Sequence, residues 1–167
     1  MSYNLSQKER LLLEDQKSHE EVCIKKYTEY AQKAQCPQLK QLLQTYAQEE
    51  QQHLNTINQL LAGQIPSMNQ QGSQQGQQSQ QGSQQSQQNM QGQQNQSSNQ
   101  GYNQQDAMLC SDLLMTEKYV SGTYDTAIFE FRNPQIRQVL NHIQKEEQQH
   151  GEGIFNYMQS KGMYNVK

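Results

Sequence analysis

One segment of this chain occurs twice, at a constant offset of 97 residues and without a gap. Pro37-Gln38-Leu39-Lys40-Gln41-Leu42-Leu43 returns as Pro134-Gln135-Ile136-Arg137-Gln138-Val139-Leu140, and Glu49-Glu50-Gln51-Gln52-His53 returns unchanged as Glu146-Glu147-Gln148-Gln149-His150. Upstream, Glu20 falls on Glu117 and Tyr27 on Tyr124. Such self-similarity means that one supersecondary unit has been used twice. Any fold proposed for one half must therefore serve for the other.

Each unit reads as a helical hairpin. Leu13, Glu20, Ile24, Tyr27, Ala31 and Ala34 lie on one helical stripe, and Leu39, Leu43, Tyr46, Glu50, His53, Ile57 and Leu60 follow in steps of three and four. That is the period of a bundle seam. The second unit repeats it with Leu113, Glu117, Val120, Tyr124, Ala127 and Phe131, then Ile136, Leu140, Ile143, Glu147, His150, Ile154 and Tyr157. Its hinge, Asn133-Pro134, pairs a good N-cap with a residue suited to the first helical turn. Cys36-Pro37 plays the same part with a poorer cap.

Between the units the chain changes character. From about Met68 to Gln105 it is almost wholly Gln, Ser, Gly and Asn. Such a stretch has nothing to bury and cannot offset its own ordering entropy, so it is expected to be disordered. The expected organisation is a first hairpin at 1–62, a low-complexity linker at 63–105 and a second hairpin at 106–167. A hairpin of roughly sixty residues is marginal alone, and two can share one core. The fold class is then all-α, a four-helix bundle with one long crossover, which is the ferritin-like connection. An alternative needs no crossover: two separate hairpins, each pairing with another chain.

Six polar residues stand where a bundle seam should be apolar: Glu20, Glu50, His53, Glu117, Glu147 and His150. Their heights agree, because Glu20 and Glu50 are centred on position 35, and Glu117 and Glu147 on position 132, the two hinges. Each Glu-x-x-His sets a carboxylate and an imidazole on one helix face. Two such helices, with one Glu from each of the others, match the ligand arrangement of ferritin-like di-iron and di-manganese carboxylate proteins. Four carboxylates balance the charge of two divalent ions, and imidazole suits iron or manganese. A core polar layer of hydrogen-bonded Glu and His side chains without metal is the other reading. Neighbouring groups read more plainly: Glu21, Glu49 and Glu146 as solvated, the last two also as supports for the ligands; His19 and His142 as surface histidines; Tyr27, Tyr46, Tyr124 and Tyr157 as core packing.

Composition excludes several classes. The net charge of −3 comes from interspersed signs, so no basic stripe exists to neutralise nucleic-acid phosphates. No apolar run reaches the length of a membrane span, and the first residues lack the apolar core of a signal peptide. Three cysteines, Cys23, Cys36 and Cys110, form neither a disulfide framework nor a zinc motif and read as buried or half-buried thiols.

The second half, from about Asp106 to Tyr164, resembles the spore coat protein F family of endospore-forming bacteria. The resemblance is carried by Ser111-Asp112-Leu113-Leu114-Met115-Thr116-Glu117-Lys118, Tyr124-Asp125-Thr126-Ala127, Asn133-Pro134-Gln135-Ile136-Arg137, Glu146-Glu147-Gln148-Gln149-His150 and Gly162-Met163-Tyr164. The first half is a diverged copy, departing at Lys25-Lys26 and Cys36. The resemblance implies a ferritin-like protein made in the cytoplasm of the sporulating mother cell and placed in the spore coat. Its partners would be other coat proteins and further copies of itself. Two functions follow: a structural or assembly component of the coat, and a di-manganese or di-iron oxidoreductase, catalase-like or peroxidase-like, that protects the spore. The structural role is the primary expectation, and enzymatic activity stays open.

Overall fold

A computed structural model of the protein describes residues 3–66 and 101–165. The low-complexity stretch lies, from 67 to 100, outside the described residues, and with it the expectation of disorder. Four helices make up the fold: α1 (Gln7–Lys33), α2 (Pro37–Leu61), α3 (Gln104–Glu130) and α4 (Pro134–Ser160). The described residues contain no strand. At 25 to 27 residues, each helix is about 40 Å long. None is long and apolar enough to cross a membrane.

Local chemistry sets the helix starts. Ser6 and Glu9 form a capping box on α1, the Asn103 side chain accepts from the Asp106 amide on α3, and Asn133 accepts from Gln135 and Ile136 on α4. Cys36 makes no side-chain cap on α2. The missing acceptor comes from the other hairpin, since both carboxylate oxygens of Asp106 take the amides of Gln35 and Cys36, at 2.8 and 3.0 Å. The arrangement is reciprocal. Glu9, the counterpart of Asp106 at the 97-residue offset, accepts the Arg132 amide at 3.0 Å and its guanidinium at 3.0 Å. That pairing brings the Glu9 carboxyl down to about 2. At the far ends, Gly63 and Gly162 hold the left-handed φ values of 78° and 72° that end α2 and α4.

Contacts between elements define the topology. Lys26 and Tyr30 near the end of α1 reach Asp112 near the start of α3, and Lys8 at the start of α1 reaches Glu130 at the end of α3. So α1 and α3 run antiparallel. His53 meets Glu146 and His150 meets Glu49, so α2 and α4 do too. Each hairpin is itself antiparallel, which leaves α2 and α3 parallel. The connection between them links opposite ends of the bundle, the up-down-down-up order of a ferritin-like fold. The helices of both hairpins belong to one compact unit.

Leu13, Tyr27, Leu39, Leu43, Ile57 and Leu60 are fully buried, as are Leu113, Tyr124, Ile136, Leu140, Ile143 and Ile154. Burying each is worth roughly 1.5–3 kcal/mol. The α1 stripe differs from expectation at one place. Ile24 is only half-buried, and Cys23 and Gln16 enter the core instead. The expected stripe faced α2 alone, whereas α1 also packs on α3, which turns its buried arc toward Gln16 and Cys23. Cys23 and Cys110 are buried free thiols and Cys36 a half-buried one.

Candidate metal centre

The seam brings Glu20, Glu50, His53, Glu117, Glu147 and His150 together at mid-bundle, each no more than 2% exposed. They divide into two overlapping sets: Glu20, Glu50, His53 and Glu147, and Glu50, Glu117, Glu147 and His150. Within each set one ligand atom per residue lies within 4.8 Å of all the others. Glu50 and Glu147 belong to both. His53 Nδ1 is 3.0 Å from Glu147, 3.4 Å from Glu50 and 3.6 Å from Glu20. His150 Nδ1 is 3.1 Å from Glu50, 3.7 Å from Glu147 and 3.8 Å from Glu117.

The outer nitrogen of each imidazole is held by the other hairpin. His53 Nε2 meets Glu146 at 2.9 Å, and His150 Nε2 meets Glu49 at 2.7 Å. Thus the first Glu of each Glu-Glu-x-x-His run orients the histidine of the other run. The tyrosines at the repeat positions also face the site. Tyr27 donates its hydroxyl to Glu117 and Tyr124 donates to Glu20.

Whether these residues suit metal ions is decided by what they lack. Glu20 Oε2, Glu50 Oε2, His53 Nδ1, Glu117 Oε2 and both oxygens of Glu147 are buried without a hydrogen-bond partner. A buried unpaired carboxylate oxygen is costly, and here such atoms converge on one small volume. Ligand atoms facing each other across a divalent ion stand roughly 4 Å apart at ordinary coordination distances, which is within the spread of each set. Two hard or borderline donor types, carboxylate and imidazole, complete a site suited to iron or manganese. The residues fit the group.

Without an ion, protons do the balancing. Burial, reinforced by the Glu147 charge, lifts the Glu117 carboxyl to about 10. Burial also lifts Glu20 well above the carboxylate range against the pull of His53. Burial acts the same way on Glu50 and Glu147, but the two imidazoles beside them outweigh it and hold both low. Desolvation would push the imidazoles down, yet the surrounding carboxylates win, raising His53 well up and His150 to about 12. Two neutral carboxyls, two carboxylates and two imidazolium rings sum to zero charge. Replacing the four removable protons by two divalent ions leaves that sum unchanged.

All six central residues come together; Glu49 and Glu146 take the supporting part the sequence offered for them, and Tyr27 and Tyr124 do more than the packing expected of them. Glu49 and Glu146 are half-buried and engaged with histidines, because the helix flank beside the seam faces α4 or α2 rather than water. The repeated Glu-Glu doublet was the available signal. Tyr27 and Tyr124 do pack in the core, and they also donate to the site. His142 is half-exposed and lies 3.3 Å from Glu146, its neighbour one turn on; His19 stacks edge-on with Tyr119 and stays away from the centre.

Residues 105–167 match the Coat F domain family. The second hairpin carries a Coat F domain. Residues 12–83, which include most of the first hairpin, match the rubrerythrin family, so the two matches fall one on each part of the ferritin-like fold. No curated protein and no solved structure gives a significant match. The Coat F hairpin points to the spore coat. The rubrerythrin-like hairpin and the buried carboxylate–histidine cluster make a metal site chemically consistent with the fold.

Proposed function

We propose that the protein is a structural component of the endospore coat whose bundle is fastened by two divalent ions, iron or manganese. The observation that carries the metal reading is the convergence of unpartnered buried atoms from four helices on one centre. Glu20, Glu50, His53 and Glu147 would hold one ion and Glu50, Glu117, Glu147 and His150 the other. Glu50 and Glu147, common to both sets, would serve both ions. Glu49 and Glu146 keep the imidazoles turned inward, and Tyr27 and Tyr124 fix the rotamers of Glu117 and Glu20. The Coat F domain carries the coat assignment, with other coat proteins and copies of the same chain as partners.

Elemental analysis of protein purified without a metal-binding tag tests the first part; two ions per chain, and a higher melting temperature than the chelated protein, are expected. Near-zero content after reconstitution, with unchanged melting, would falsify it. Fractionation of spores carrying tagged protein tests the second part, and recovery in the coat extract is expected.

A second reading, a di-metal oxidoreductase acting on peroxide or oxygen, is favoured by the rubrerythrin match. When bound, a redox-active ion pair would supply the electrons. The chain would exclude bulk water by burying all six ligands and would hold protons at Glu20 and Glu117 when metal is absent. Peroxide turnover that exceeds free metal ion and disappears in Glu147→Ala supports this reading; rates equal to free ion remove it.

A further inference from the structure

Tyr46 is the least symmetrical feature of the centre. Its ring lies on His150, with centroids 4.3 Å apart and planes tilted by 32°, and meets Tyr27 edge-on at 5.7 Å. Only 9% of the residue is exposed, and its hydroxyl is not among the buried atoms left without a partner. That hydroxyl occupies the space where a β-carbon on Gly153 would sit. Gly153 in turn lines an open groove of about 450 Å³ between α2 and α4. The groove presents the amides of Gln41 and Asn156 and the hydroxyls of Thr45 and Ser160, and its lining includes no charged side chain.

The repeat supplies an internal control. At the 97-residue offset, Tyr46 becomes Ile143 and Gly153 becomes Thr56. Leu42, half-buried on the groove, becomes the fully buried Val139. Packing alone is thus met by an aliphatic side chain on the His53 side. A phenol adds a hydroxyl that packing does not use, and a glycine opposite it is needed only because the hydroxyl reaches that far.

We propose that the groove is the mouth by which a small neutral hydrogen-bonding molecule, of the size of water or a peroxide, reaches the centre, and that it arrives on the His150 side alone. The Tyr46 hydroxyl, covered by the bare backbone of Gly153, receives the molecule, and rotation of the ring admits it. An uncharged lining favours neutral molecules over ions, since it offers no counter-charge for a desolvated one. The proposal deepens the oxidoreductase reading by naming what the centre admits and from where, and it rests on that reading for its purpose.

The test avoids metal, so that the two ideas fail separately. In metal-free protein, deuterium uptake at the ring carbon between the imidazole nitrogens is followed in heavy water by mass spectrometry, residue by residue. His150 is expected to exchange about tenfold faster than His53, as a group behind a locally opening element does. Tyr46→Ala should accelerate His150 further and leave His53 unchanged. The double variant Tyr46→Ile with Gly153→Thr copies the other side and should bring His150 down to the rate of His53. Equal rates in the unaltered protein, or a double variant that keeps His150 fast, would overturn the proposal. If Tyr46→Ala loosens the whole bundle, both histidines accelerate together and the double variant decides. A chain that carries no metal in elemental analysis would remove the oxidoreductase reading and leave the one-sided exchange standing.

Discussion

Beside His150 stand Tyr46 and Gly153; the places related to them by the repeat hold Ile143 and Thr56. Gln16, buried on α1 and accepting from Thr123 at 3.0 Å, answers to Leu113 on α3. Lys26, paired to Asp112 at 2.6 Å, answers to Thr123. Yet the six central residues and the four that orient them are the same in both hairpins. The difference shows where the halves depend on each other. Each set of ligands draws on both hairpins, and each histidine is turned by a carboxylate from the opposite one. A change at Glu50 or Glu147, which belong to both sets, damages both, whereas a change at Tyr46 or Gln16 is felt on one side.

The sharpest way to break this comparison is to remove a shared ligand. Glu147→Ala and Glu50→Ala should each take the metal content from two ions to none, while Glu20→Ala and Glu117→Ala should each retain one. Elemental analysis of the four variants checks it; one ion left in Glu147→Ala would show that the centres are independent. Next in size is the crossed support of the imidazoles. Glu49→Ala should weaken the ion on His150, and Glu146→Ala the ion on His53, each by about 10–100-fold in affinity. Competition with a chromophoric chelator reads the loss, and equal weakening of both ions by either variant would contradict the pairing.

A third test treats the halves as one titrating unit. Glu20, Glu117, His53 and His150 all have folded-state pKa values raised above their ordinary ones. The metal-free folded chain therefore keeps protons that the unfolded chain sheds, first at carboxyls above 4.5 and then at imidazoles above 6.5. Stability must fall as pH rises through that range and on toward 10. The depressed Glu50 and Glu147 act oppositely: their contribution is present above 4.5 and is lost on acidification. The melting temperature of metal-free protein should peak near the ordinary carboxyl value of 4.5 and drop from there toward pH 9. The metal-loaded protein, with no protons on its ligands, should not show the alkaline drop. The smallest effect is expected from Tyr27→Phe and Tyr124→Phe, about 1 kcal/mol each. Chemical denaturation should find the two equal, because both hydroxyls donate to equivalent carboxylates.

The hairpins, the hinges and the six central residues were legible because they obey local rules: a helical period, a proline after a cap, and charged groups breaking an apolar stripe. What escaped depended on a partner far along the chain. That Glu49 supports the histidine of the other hairpin rather than its own shows only once α4 is placed beside it. Cys23 rather than Ile24 enters the core because α3 lies on that flank of α1. Asp106 and Glu9 sit in the first turns of their helices, where acidic residues are ordinary, and nothing local says that they serve hinges 70 and 123 residues away. Tyr46 falls on the seam like any packing aromatic, and only the glycine opposite it reveals the hydroxyl.

Those two first-turn acids have a consequence for how the chain comes together. A hairpin made alone would turn its corner with bare amides at Gln35 and Cys36, or at Arg132, and would fray there. The corner closes when the other hairpin's first turn arrives to accept them. Since each hairpin finishes the other, neither is a stable way-station, and the described bundle should assemble and come apart as a single cooperative event.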